Sequence, residues 1–365
     1  MAKDLTDVEE PLLPSSGLHE PSRNVARAAL IRTLLAICTL LVAVGLFGGF
    51  ASLVLVRHRS GLPSHAWSFN QIWSMVSKTG QHRTTLVSAL FMNPNDTMRH
   101  SPGQYYVWLD NFLKTNEQPI VFYTSPDLVE RVQAAHGPST EARPLQIVPV
   151  ASAFELPPIV KLGGLPWLEQ QWLMDPEQRI HSKLMYAVWM SKAWFVEQVS
   201  RNNPYNSERF FWIDAGVFRD SDEIRFSELD DRLDEAFGIH DDRLMLSAVE
   251  NLPSGSRLQA YHNASDWPLR ANLIQGAWFG GAPAPVSWWA EEMHRVASTQ
   301  IALGRFAAKE QDIMNLAALI NMPRLLILTA QKQKGNCGFG PWFVFWKWCN
   351  AVAATNRCEP EFFLG

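Results

Sequence analysis

Between Thr84 and Leu328 short apolar runs alternate with stretches of helical periodicity, and that alternation limits the chain to few architectures. TTLVSALFM (Thr84–Met92), PIVFY (Pro119–Tyr123), LQIVPV (Leu145–Val150), LMLSAV (Leu244–Val249) and Arg324–Leu328 read as strands. Gln104–Leu113, Asp127–Ala135 and His181–Val199 read as helices, as do a segment from Pro285 and Ser287 through about Ser298 and Lys309–Ile320. Strands alternating with helices imply an α/β fold, a mixed, mostly parallel sheet with both faces covered. Pro157, Pro158, Gly163, Gly164 and Pro166 interrupt the rhythm, so residues 157–180 read as an irregular insertion or lid. The 47% hydrophobic content supplies ample core, and the 15 Trp are mostly expected inside it.

The central strand, Phe210-Phe211-Trp212-Ile213, stops at Asp214 and is followed by Ala215 and Gly216, then Arg219 and Asp220. A strand that delivers one carboxylate to its C-terminal end, beside small residues, sits where open α/β sheets bind ligands. The plainer reading is that Asp214 opens a turn. The acidic segment from Asp220 to Asp231 reads as a solvated face. The helix at 181–199 carries Leu184, Val188, Phe195 and Val199 on one stripe and is nearly all apolar, hence buried. Its Lys183 and Lys192 must snorkel to the edges, pair with acids or reach a phosphate, and snorkelling is the plainer expectation. Glu310 and Asp312 complement the dipole at the start of the last helix whether or not they do chemistry.

At the N-terminus, residues 1–32 are acidic and turn-rich and read as a disordered cytosolic tail. Thr33–Val56 holds 24 residues without a formal charge, flanked by arginines, which is long enough for a transmembrane signal anchor. A polar stem at 57–80 and a lumenal domain at 81–365 would follow. The flanking charges lean toward a cytosolic N-terminus, placing the bulk of the chain in the ER or Golgi lumen. The sequons at Asn95 and Asn263 then become glycosylation acceptors. Cys337, Cys349 and Cys358 suit one disulfide plus one thiol in an oxidising lumen, with the pairing open. The near-balanced net charge of -4, with no basic stripe, argues against a nucleic-acid partner.

In order, the anchor, the strand-helix array, HSKLMYAVWMSKAWFVEQ, NPYNSERFFWIDAGVFRD, QGAWFGG and KEQDIMNLAAL resemble the HtrL/YibB family over roughly residues 82–330. The same order is similar to the wider class of GT-A nucleotide-sugar glycosyltransferases, which have a Rossmann-like sheet. The resemblance implies a nucleotide-sugar donor and a glycan or glycoconjugate acceptor. It aligns Trp212-Ile213-Asp214 with the metal-holding D-x-D triplet of that class, of which only the last acid is present. A divalent manganese or magnesium ion at Asp214 would therefore need further oxygen donors, from Asp220 or another acid. The resemblance puts Asp214 at the donor diphosphate, and, as chemistry, a leaving diphosphate needs positive charge, for which Arg219 and Lys183 are the candidates. The Gln275–Gly281 segment resembles the strand that borders the acceptor in that class, so Gln275, Gly276 and Trp278, with Glu250 at a strand end, are acceptor-side candidates; an acceptor hydroxyl also needs a base, which in an inverting reaction would be Glu310 or Asp312.

A non-catalytic carbohydrate-binding or scaffold protein that retains the fold is the alternative, and the missing first acid favours it. A hydrolase is the weaker third reading, because no G-x-S-x-G, H-E-x-x-H or Walker segment is present. The topology makes a direct prediction. Endoglycosidase should increase the mobility of the protein expressed in secretory cells; unchanged mobility with both sequons accessible would place the domain outside the lumen.

Overall fold

The computed structural model describes residues 83–93, 100–219, 226, 228–250, 252, 272–329, 342, 345, 348 and 361–364. All lie within one compact unit, Lys78–Gly365. The tail, anchor and stem, both sequons, Asp220 and the three C-terminal cysteines lie outside the described residues. Among the described residues no helix is long and apolar enough to cross a membrane.

Eight strands form one sheet: β1 Thr84–Leu90, β2 Ile120–Thr124, β3 Leu145–Pro149, β4 Arg209–Ile213, β5 Leu244–Ala248, β6 Ile274–Gly281, β7 Leu325–Thr329 and β8 Glu361–Leu364. Their order is β3-β2-β1-β4-β6-β5-β7-β8. The pairs β1/β2, β2/β3, β1/β4 and β5/β7 are parallel; β6 runs antiparallel to both β4 and β5, and β8 to β7. The sheet is thus mixed and mostly parallel, as the alternation implies.

The described helices are α1 Pro102–Thr115, α2 Val129–His136, α3 Pro157–Leu162, α4 Gly164–Met174, α5 Lys183–Asn202, α6 Leu229–Phe237, α7 Pro283–Ala302 and α8 Glu310–Ile320. Their ends follow local chemistry. Ser101 closes a capping box with Gln104 ahead of Pro102 at the first turn of α1. Ser182 caps α5 through the Met185 amide, and Asn203, at φ 39°, ends it in the left-handed conformation that asparagine tolerates.

Strand β4 shows how the two faces divide. Phe210 and Trp212 join one buried cluster, with Tyr186 and Val196 of α5, Trp289 of α7 and Ile313 of α8. Phe211 and Ile213 join the other, with Leu109 and Phe112 of α1, Val132 of α2 and Leu233 of α6. The period-2 alternation of a buried strand thereby makes a three-layer α/β/α sandwich.

Two expectations are corrected. Residues 157–174 are helical rather than irregular, and only 175–180 remain as turns: Pro157 starts α3, Gly163 ends it at φ 116°, and α4 follows at once. The prolines occupy first-turn positions, where their missing N–H costs nothing. Nor is the whole acidic segment a solvated face. Asp230 to Phe237 lies in α6, which buries Leu229, Leu233 and Phe237 at helical spacing and turns its acids outward or toward arginines. One such contact lies at the N-terminal end of β4, where Arg209 donates to Asp234 at 2.7 Å and to Asp241 at 2.9 Å.

The β4/β6 pairing depends on Gly280, which faces Phe211. A methyl group there would lie 2.2 Å from the Phe210 carbonyl oxygen and 2.7 Å from Cα of Phe211. Gly280→Ala is expected to cost roughly 2–4 kcal/mol in urea unfolding followed by Trp fluorescence. A loss below about 0.5 kcal/mol would contradict this register.

Candidate functional site

The chain leaves β1 for β2 on one side and returns to β4 on the other, so the strand order reverses between β1 and β4. Ligands of open α/β sheets bind at such a switch point, beyond the carboxyl ends of the strands. A cavity of about 640 Å³ lies there, lined by Phe91 and Asn93 after β1, Asp214 after β4 and Gly276 of β6. Lys309 and Glu310 at the start of α8, and one face of α5, complete its walls.

At its centre, Nζ of Lys192 lies 3.0 Å from Oδ1 and 3.1 Å from Oδ2 of Asp214, 2.7 Å from Oε1 of Glu310 and 3.1 Å from the Gly276 carbonyl oxygen. It also lies 5.5 Å from the centre of the Trp212 ring. The Lys192 side chain is 4% exposed and Glu310 6%, whereas Asp214 is 32% exposed toward the cleft. Burial opposes the Lys192 charge. Asp214 and then Glu310 outweigh it, holding the ammonium above its ordinary value. Trp212 Nε1 donates to Asp214 Oδ1 at 2.7 Å. A Cβ on Gly276 would lie 2.6 Å from Glu310 Oε1, so that glycine makes room for the carboxylate.

A second polar cluster lies at the mouth of α5. Nδ1 of His181 is 2.7 Å from Oδ2 of Asp175, which also accepts from the Tyr186 hydroxyl, while Oδ1 accepts from the Glu177 amide at 2.7 Å. Glu177 pairs with Lys309 at 3.1 Å. Nearby Asp312 is half-buried, and its carboxyl is pushed up to about 7, chiefly by burial. The charges of Glu310, Asp175 and Glu177 add to that shift and Lys309 opposes it. At another wall of the cleft, His100 and Tyr105 meet Trp108 edge-on at 4.9 and 5.2 Å. The Arg219 guanidinium lies 5.0 Å above Trp108, and its Nε donates to the Gly216 carbonyl at 3.2 Å.

Of the sequence candidates, Asp214, Arg219, Gln275, Gly276 and Glu310 come together on the cleft. Four stand elsewhere. Lys183 pairs with Glu169 at 3.2 Å on the surface. Trp278 is fully buried on the opposite face of the sheet, stacked on Phe211 at 4.6 Å and Phe345 at 5.3 Å. Glu250 is exposed and Asp312 sits behind Glu310; neither is among the described lining residues. Lys192 does not snorkel. A signal for this was present: Lys192 falls in the middle of the stripe Leu184, Val188, Phe195, Val199, where an exposed lysine does not belong. The Asp175–His181 contact had no such signal, because no regular spacing relates the two.

The divalent metal implied by the triplet alignment does not fit at Asp214. Both oxygens are engaged by Lys192, Oδ1 also accepts from Trp212, and an ammonium already stands among the oxygens a metal would need. Asp175, Glu177 and His181 offer ligand atoms within 4.8 Å of one another and could hold a metal ion. Asp175 accepts one hydrogen bond at Oδ1 and two at Oδ2, which leaves a lone pair of Oδ1 for such a shell.

No family model and no curated protein sequence matches the chain. Among solved structures, the chain is similar to the apo form of mouse xyloside xylosyltransferase 1. The match covers 77% of this chain and 97% of that one, at 13% identity and a TM-score of 0.42.

Asp312 ties stability to pH. A carboxyl whose folded value is raised, here from 3.8 to about 7, costs nothing below the lower value and progressively more as pH rises to the upper one. Asp312→Asn should therefore melt like the parent at pH 4 and above it at pH 8, by on the order of 1 kcal/mol after discounting for partial solvation. Equal melting at both values would refute the raised carboxyl.

Proposed function

We propose that the protein is a glycosyltransferase that moves a sugar from a nucleotide-sugar donor to a glycan or glycoconjugate acceptor. It works from a membrane anchor at residues 33–56, with its catalytic part in the Golgi or ER lumen. The observation that carries this reading is Asp214 at the carboxyl end of β4, facing a cleft at the switch point of an α/β sheet. The order of sequence motifs that resembles the HtrL/YibB family and the GT-A class supports it.

In this reading the diphosphate lies against Arg219, the accessible cation among the candidates assigned to it, and a leaving diphosphate needs such a countercharge. The half-buried Tyr105 ring, held edge-on by Trp108, lines the cleft and suits contact with a nucleobase. On the acceptor side, Gln275 lines the cleft, is 3% exposed, and its Oε1 has no hydrogen-bond partner among the described residues. A buried acceptor left unmatched is costly, and a sugar hydroxyl would satisfy it. Deprotonation of the attacking hydroxyl in an inverting reaction falls to Glu310 or Asp312. Glu310 lines the cleft but shares its Oε1 with Lys192; the Asp312 carboxyl is pushed up to about 7, chiefly by burial, yet it is not among the described lining residues.

The second reading, a non-catalytic carbohydrate-binding protein with the same fold, draws on the Lys192 contacts that engage the one acid retained from the triplet. Thermal melting of the full-length protein in detergent against a panel of nucleotide sugars separates the two. One donor at about 100 times its Kd should stabilise by about 2.7 kcal/mol. Arg219→Ala should abolish that shift while barely moving the melting point of the free protein, because Arg219 is exposed. A shift retained in Arg219→Ala would move the diphosphate elsewhere, and silence across the panel followed by a shift with free glycans would establish the second reading.

A further inference from the structure

We propose that the Lys192 ammonium is the resident cation of this site, standing where a divalent metal would otherwise join Asp214 to its neighbours. The cleft then takes its donor without a metal at Asp214. The statement about the donor rests on the transferase reading above; the statement about the cation does not. Four oxygens from three residues surround Nζ at 2.7 to 3.1 Å, the separation of N–H···O bonds and longer than the roughly 2.0–2.6 Å of magnesium or calcium to oxygen. The three N–H groups of the ammonium therefore have as many partner residues, Asp214, Glu310 and the Gly276 carbonyl.

The position is built for a cation rather than left over from packing. Gly276 yields the space that Glu310 needs, the Trp212 ring presents its π system to the charge, and Trp212 Nε1 steadies Asp214. A divalent ion brought to the same oxygens would be repelled by the ammonium beside it and would have to displace the N–H bonds. Two carboxylates and one ammonium leave the trio with one formal negative charge. That charge belongs at Asp214, the member open to the cleft, because Glu310 and Lys192 are almost fully enclosed. An exposed carboxylate edge accepts hydrogen bonds from sugar or ribose hydroxyls and repels phosphate. Asp214 therefore binds the hydroxyl-bearing part of the donor, and the diphosphate is left to Arg219.

The test is manganese binding to the full-length protein in detergent, read from the electron paramagnetic signal of the free ion. Parallel titrations use Asp214→Asn, His181→Ala and Lys192→Ala. The parent should hold no manganese that Asp214→Asn removes, and chelator should leave any nucleotide-sugar melting shift unchanged. Manganese that His181→Ala abolishes and Asp214→Asn retains would belong to the Asp175 cluster and would agree with the proposal. One manganese per chain in the parent and His181→Ala, but none in Asp214→Asn, would overturn it. Lys192→Ala should lower the melting point and gain at least tenfold in stabilisation by manganese or ethylammonium; a folded variant that responds to neither would also overturn it. If Lys192→Ala does not fold, the parent titration decides. If no nucleotide sugar binds, the transferase reading falls while the manganese titrations still judge the role of Lys192.

Discussion

An ammonium with its side chain 4% exposed in a protein interior must be paired, and the way Lys192 is paired ties the cleft together. Its partners come from three elements other than its own helix: the end of β4, the start of β6 and the first turn of α8. Removing one carboxylate would leave a buried positive charge with too few acceptors, a loss of roughly 3–5 kcal/mol for a buried pair. The same contacts set the chemistry of the mouth. They keep Glu310 occupied and orient Asp214, and they stand in the place of the metal that the sequence resemblance implies. Helix α5 is thus both a core element, through Tyr186 and Val196, and a wall of the cleft, through Lys192.

The remaining polar groups are arranged by distance from that centre. Asp175 accepts three hydrogen bonds just before α5 begins, and Glu177 joins Lys309 across to α8, so the cluster binds two helix starts to each other. Asp312 pays for this crowding with a carboxyl near neutrality, since burial and neighbouring acids act in the same direction. At the opposite end of the central strands β1 and β4 the balance is reversed. Arg83 and Arg209 both reach Asp234, and their hydrogen bonds outweigh its burial and hold its carboxyl down to about 2. One end of the sheet therefore carries acids matched by arginines, while the ligand end keeps a carboxylate partly open and another near neutrality.

Most of the sheet was legible because its strands are short, apolar and bounded by breakers: five of the strand segments read from the sequence recur as β1, β2, β3, β5 and β7 with ends within two residues. Prolines misled at 157–180, because a proline that starts a helix and one that prevents it look alike without the surrounding backbone. Acids misled at α6, where the buried spacing of Leu229, Leu233 and Phe237 was hidden under the charge. At the site, Asp214, Gln275, Gly276 and Glu310 were legible as residues beside strand ends and helix starts, and the structure places them on one cleft. Trp278 was not separable from them: regular alternation would put it on the same face as Gly276, two residues away, and an irregularity in the β5/β6 pairing sends it to the other side of the sheet.

The sequence by itself determined the alternation of strands and helices, and hence a covered, mostly parallel sheet with a carboxylate at the end of its central strand. Those properties are written in local periodicity, where each residue's pattern is set by near neighbours. Only the tertiary structure decided that Lys192 turns inward to Asp214 and Glu310 and that Lys183 stays outside. The two lysines lie on the same helix nine residues apart, and the apolar stripe that marks Lys192 as inward-facing does not say which acids receive it. Their partners lie 14 to 118 residues away, and the free energy of a buried charge depends on those partners and not on its own stretch of chain.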